Sequence, residues 1–148
     1  MAASPWVAFD KAALNILNGT IDMDNAGAGA FKCALLLNTW TPDVTQDDYS
    51  DLSANEVATA FGYNAAGVAL TGVALTEAAG VVKWTANTMA WTAAGGAIVA
   101  RYAVIYHVAS GKLICYCEPE SGADKTATDG NQFAIQPNAA GILDITKA

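Results

Sequence analysis

Hydrophobic positions in this 148-residue chain follow two patterns: one helical stripe near the start, then a succession of strand-length runs. In SPWVAFDKAALNILNG the apolar residues Trp6, Phe9, Ala13, Ile16 and Leu17 recur at helical spacing, with Asp10, Lys11, Asn15 and Asn18 off that stripe. Ser4 suits the N-cap and Pro5 the first helical position, where its missing N–H costs nothing. Gly19 suits the C′ position that ends the element. The pattern predicts one short amphipathic helix over 5–18 that docks on its own sheet or on a neighbour.

Strand patterning takes over in a β-rich body over 31–146. FKCALLLN (31–38) opens it, followed by the polar connection TWTPDVTQDDYSD. Ser53-Ala-Asn-Glu56 matches a capping box and predicts a helical turn around 53–59. AGVALTGVAL, VVKWTA, the stretch Ala100–Glu118, NQFAIQP and GILDIT follow, short, rich in Val, Ile, Thr and aromatics, and bounded by Gly, Asn, Asp or Pro. NAGAGA and TAAGGA are expected as loops. No long helical pattern separates the strands, which predicts a mainly β fold: an antiparallel sandwich or barrel, jelly-roll-like, in a single domain over 1–148.

ARYAVIYHVASGKLICYCE collects the chain's single Arg, its single His and two of its three cysteines. As a hairpin turning at Ser110-Gly111, it would set Val108 opposite Leu113, Tyr106 opposite Cys115 and Val104 opposite Cys117. Both thiols then share an apolar, tyrosine-rich face, and His107 points the other way. A one-residue slip would exchange the faces. A zinc site needs about four converging ligands, and Cys-x-Cys is not the Cys-x-x-Cys knuckle, so the cysteines are expected as core filler. His107 is expected at the rim of the hairpin. Arg101 is expected to meet a carboxylate or a neighbouring subunit.

Composition narrows the function classes. Hydrophobic residues make up 53% of the chain and charged residues only 14%, well below the roughly 25% of ordinary soluble proteins. Such a surface suits contact with other protein copies. A net charge of −7, with basic residues scattered as singles, excludes the positive stripe that nucleic acid requires. No apolar run reaches the ~18 residues of a membrane span. The opening MAASPWVAFDKAALNIL has no basic start and no continuous apolar region, so no secretory signal is expected and the thiols should be reduced.

Candidate chemistry is thin. Asp22-Met-Asp24-Asn-Ala26-Gly27 begins like a calcium loop, but Ala26 and Cys33 fall where ligands belong, and a polar turn is expected. Asp43, Asp47, Asp48 and Asp51 form an acidic connection that is expected as a solvated loop. Gly27-Ala28-Gly29 fits no phosphate-binding pattern, and no G-x-S-x-G elbow occurs. No catalytic, cofactor or metal residues are therefore assigned. Trp84 and Trp91 are expected in the core or on a sheet face. Trp6, Phe9, Trp40 and Arg101 are the candidate contacts between subunits.

The order of motifs GTIDMDN, FKCALLLNTWTPD, DLSANEVA, Gly62-Tyr63 with AGVAL, ARYAVIYHVASGKLICY and GILDIT resembles a family of small phage and prophage virion proteins. CYCEPESGAD departs from the aromatic-Asp-Phe-Gly type of turn expected there. The resemblance implies a non-enzymatic, multi-copy structural component made in the host cytoplasm. On this basis the leading expectation is a decoration or cement protein on the capsid exterior. Its partners would be the major capsid protein and copies of itself, with a trimer as a natural arrangement. A tail-tube, tail-tip or fibre-associated role is the alternative within the same class. A carbohydrate-binding sandwich module is the alternative outside it, and aromatics lining a groove would be its sign.

Overall fold

The computed structural model describes residues 3–25 and 27–146. The chain begins not with the predicted helix but with a short strand, β1 (Val7–Ala8), added to the hairpin's return strand with Val7 opposite Tyr116. Ser4 does not cap a helix. Its N–H donates to the Glu118 carbonyl at 2.8 Å, and its Oγ accepts the Glu118 N–H at 2.8 Å. The Phe9 N–H donates to the Ile114 carbonyl at 3.1 Å. These sheet bonds hold the segment extended and confine the helix, α1, to Ala12–Leu17.

Six residues are too few for a self-supporting helix, so α1 depends on its docking against the sheet. Its buried residues are Ala12 and Asn15, while Leu14 and Leu17 are 60% and 84% exposed. The predicted stripe is thus turned outward in part. Asn15 is accommodated because its Nδ2 donates to Asp47 Oδ1 at 2.9 Å.

The body contains β2 (Phe31–Leu36), two 3₁₀ turns (Tyr49–Asp51 and Ser53–Asn55), β3 (Val68–Ala69), β4 (Ala74–Ala78), β5 (Val81–Thr85) and β6 (Met89–Thr92). It continues through β7 (Ile98–Ala100), β8 (Tyr102–His107), β9 (Leu113–Cys117), β10 (Lys125–Ala127), β11 (Gln132–Ile135) and β12 (Leu143–Thr146). The predicted helical turn is the second 3₁₀ turn, and strands form in the runs expected at 31–38, 81–86 and in the two last runs, while the run over 66–75 is divided between β3 and β4, which belong to different sheets.

The strands pair antiparallel throughout, as expected. The main sheet runs β1-β9-β8-β2-β3, and three smaller sheets are β12-β5-β4, β11-β6 and β10-β7. The main sheet ends in the two-residue edge strands β1 and β3, so it stays open and no barrel closes. The layering is that of a sandwich.

The main sheet is covered on both faces. On one, Phe31, Cys33, Leu35, Ile105 and Cys115 meet Trp84, Met89, Trp91, Ile98 and Phe133 from the smaller sheets. On the other, Ala34, Leu36, Tyr102, Val104 and Leu113 are covered by Phe9, Ala12, Trp40 and Leu52. Each large side chain buried this way contributes about 1.5–3 kcal/mol relative to exposure.

The hairpin register differs from the predicted one. The turn is longer than Ser110-Gly111: the His107 N–H donates to the Lys112 carbonyl at 2.9 Å and the Gly111 N–H to the His107 carbonyl at 2.8 Å. Gly111 takes a left-handed φ of 72° that a four-residue loop of this kind demands. Tyr106 then pairs with Leu113 but Ile105 with Cys115, so Ile114 is the extra residue of a β-bulge. The slip reverses the predicted faces. Cys115 and Cys117 lie with Cys33 and Ile105 in the core on the small-sheet side, away from Tyr102 and Tyr106.

Trp40→Ala is expected to destabilise the fold by about 3–5 kcal/mol in urea unfolding, because it empties a ring-sized volume from the second core. Leu17→Ala should change stability by no more than about 0.5 kcal/mol, since that side chain lies in solvent.

Candidate assembly surface

Two of the four expected contact residues prove to be core. Phe9 and Trp40 are 2% and 3% exposed, their rings 6.5 Å apart. Trp40 lies 5.0 Å from Tyr102 and 5.2 Å from Tyr116, edge-on to both. Its indole N–H donates to Gln46 Oε1 at 3.0 Å, so the connection after β2 folds back over the sheet and supplies the ring's polar partner. Both residues therefore anchor the chain to itself, which corrects their expected interface role.

Trp6 is half-buried and packs against the small-sheet core. Arg101, half-buried, meets a carboxylate as expected: its Nη2 lies 3.8 Å from Glu118 Oε1, with the guanidinium 5.8 Å from the Tyr102 ring. Trp40 and Arg101 thus both meet Tyr102, Phe9 meets Trp40 and Tyr116, and Trp6 packs against the other core.

The outward apolar residues are different ones. Leu14 and Leu17, three apart on α1, share its solvent face. A second set lies on the β12-β5-β4 sheet. Trp84 pairs with Leu75 and Leu143, and Val82 pairs with Glu77 and Ile145, so these residues occupy one face. Trp84 is 2% exposed at the covered end, whereas Ile145 is 63% exposed. The sheet extends past the core it covers, carrying apolar side chains into solvent beside the free edges of β4 and β12.

The acidic connection is held by cations of the chain itself. Lys112 Nζ lies 2.8 Å from Asp47 Oδ2 and 3.1 Å from Asp48 Oδ1, and Lys11 Nζ lies 3.8 Å from Asp47. The hydrogen bond from Lys112 holds the Asp47 carboxyl below the usual range. Thr45 does the same for Asp43, its hydroxyl and N–H donating to Asp43 Oδ1 at 2.6 and 3.0 Å. Asp22 accepts the Asp24 N–H at 3.1 Å, a local turn; Ala26 lies outside the described residues. Among the described residues no three His, Cys, Asp or Glu side chains are grouped to hold a metal ion. No helix among them is long and apolar enough to cross a membrane.

Sequence patterning misses a carboxylate hub. Glu56, expected to complete a capping box with Ser53, instead accepts hydrogen bonds from the hydroxyls of Tyr49 and Tyr63 and from the Ala66 N–H. The capping box forms earlier, between Asp48 and Asp51. Tyr63 also accepts the Leu35 N–H at 3.0 Å, which ties the hub to β2. Burial first, and then the Glu56 hydrogen bonds, push the Tyr49 and Tyr63 hydroxyls well above the ordinary tyrosine range. No spacing rule links residues 49, 56, 63 and 66, because the hub depends on loops meeting in space.

His107 is not at the rim. It is 7% exposed against Phe31, with its Nδ1 2.8 Å from Ser110 Oγ, and burial pulls its pKa below the ordinary 6.5. The three cysteines are buried and unpaired, and burial pushes all three thiols upward. Such thiols are poor nucleophiles, consistent with core filler.

Comparison with protein families, with curated proteins and with solved structures finds no match to this chain in any of the three.

In the native state all three thiols should resist a thiol-specific reagent, and all three should react in denaturant. Urea unfolding should show an acid limb in two stages. His107 has a folded pKa below its unfolded 6.5, so stability is full above pH 6.5 and falls as pH drops through the folded value. Asp47, whose folded pKa lies below 3.8, adds a second loss below that pH. Asp47→Asn should reduce the second stage, to which Asp43 also contributes, and leave the first unchanged.

Proposed function

We propose that this chain is a multi-copy virion structural protein, a decoration or cement protein that binds the outside of a capsid lattice and stabilises the head. The observation that carries this reading is the outward apolar face of α1, where Leu14 and Leu17 are 60% and 84% exposed on a helix whose other face already has its cover. Apolar helix faces left in water favour a partner surface. The overhanging β12-β5-β4 sheet offers a second contact with two open edges, which natural sheets normally blunt or cover.

Two separated apolar surfaces on a chain with 14% charged residues suit a component held by several weak contacts at once. In a shell those contacts add through avidity, so no single one has to be tight. The partners under this reading are the major capsid protein and copies of the chain, with a trimer at local three-fold positions satisfying two different contacts per subunit. The order of motifs resembling small virion proteins supports the same class. A tail-associated component is the alternative within that class.

Quantitative mass spectrometry of purified particles separates these. Abundance comparable with the major capsid protein is expected, whereas a small fraction of it would place the chain in the tail. Leu14→Asp combined with Leu17→Asp should abolish retention on the head while leaving the unfolding free energy from urea within about 0.5 kcal/mol of wild type. Full retention of that variant would remove α1 from the contact.

A further inference from the structure

A groove of about 600 Å³ opens beside the hairpin turn, lined in part by Lys32, Asp48, Tyr49, Ser50, Tyr106 and Ser110. Its apolar element is a pair of stacked rings. Tyr49 and Tyr106 lie 4.1 Å apart with planes 7° from parallel. Both tyrosines line the groove, Tyr106 5% exposed and Tyr49 half-buried, so Tyr49 is the more accessible ring of the pair. Both rings are fixed from within: the Tyr49 hydroxyl donates to Glu56, and the Tyr106 hydroxyl donates to the Ala66 carbonyl at 2.8 Å. A ligand meeting this platform would not have to order the two rings, which lowers the cost of binding.

We propose that this groove binds a neutral, pyranose-containing oligosaccharide. A pyranose has an apolar C–H face that suits a fixed aromatic ring, and a rim of hydroxyls that both donate and accept. Around Tyr49 the groove carries the Ser50 hydroxyl and the Lys32 ammonium, with the Ser53 and Ser110 hydroxyls and the Asp48 carboxylate beside them, which also bond within the chain to the Ser50 carbonyl, His107 and Lys112. One lining cation and one lining anion leave the groove nearly neutral, on a chain whose net charge of −7 repels sulfated or phosphorylated ligands. A peptide added as a strand does not fit, because Lys32 and Tyr106 belong to the interior strands β2 and β8 and present no free edge. This site is independent of the capsid contact, since Leu14 and Leu17 do not line it.

The test is an NMR titration of the uniformly labelled full chain with neutral trisaccharides of gluco, manno and galacto configuration, and with a sulfated oligosaccharide as control. Saturable shifts at Lys32, Ser50, Ser53 and Ser110 with at least one neutral sugar, and none with the sulfated one, are expected. Lys32→Ala and Ser50→Ala, both at half-buried or exposed positions, should each weaken that binding roughly tenfold with an otherwise unchanged spectrum. Tyr49→Leu should abolish it. The proposal fails if no neutral sugar gives saturable shifts at the groove, if the sulfated one binds there instead, or if Lys32→Ala and Ser50→Ala leave the affinity unchanged.

Discussion

The pairing of β2 with β8, from Phe31 opposite His107 to Leu36 opposite Tyr102, joins two strands whose faces are both covered along nearly their whole length. β8 is buried at all six positions and β2 at five of six. A sheet centre of this kind needs apolar cover on both sides, and the remainder of the chain supplies it. The smaller sheets close one face with Trp84, Trp91 and Phe133, and the N-terminal segment with the connection after β2 closes the other with Phe9, Trp40 and Leu52. The bulge at Ile114 interrupts the alternation of β9, so that the neighbours Ile114 and Cys115 both enter the small-sheet core while Leu113 enters the other.

That demand also explains what is left outside. The inward residues of α1 are chosen by its seat on the sheet, Ala12 beneath it and Asn15 bonded to Asp47, so Leu14 and Leu17 face out. The three-stranded sheet is anchored by Trp84, whose indole N–H donates to the Met23 carbonyl at 3.0 Å, and its far end overhangs. The connection that carries Trp40 also carries the Tyr49 ring and leads to Glu56, so one excursion of the chain covers the core and builds the groove. The outward apolar faces and the groove are both products of covering the same central sheet.

How much of this is legible in the sequence depends on range. Fold class, the strand at 31–38 and the core positions of Trp84 and Trp91 follow from local pattern alone. β7 and β10, three residues each, are too short to register as patterns. The helix over 5–18 fails because Ser4 and Phe9 find sheet partners more than a hundred residues away, which outweighs a favourable cap and first-turn proline. The hairpin faces reverse because one bulged residue cannot be seen in a run that is apolar throughout. Trp40 misleads for a similar reason: its neighbours are polar, yet its loop folds inward. The groove and the Glu56 hub draw on residues scattered from 32 to 111 and have no local signature.

Native-state hydrogen exchange on the isolated chain is the most direct test of two-sided burial at β2 and β8. Amides of Ala34, Leu36, Val104 and Tyr106, which face across the β2–β8 pair, should exchange only through global unfolding, with an opening free energy equal to that from urea. Exchange of these amides through a cheaper local opening, while the β12-β5-β4 sheet stays protected, would show that the centre of the fold lies elsewhere.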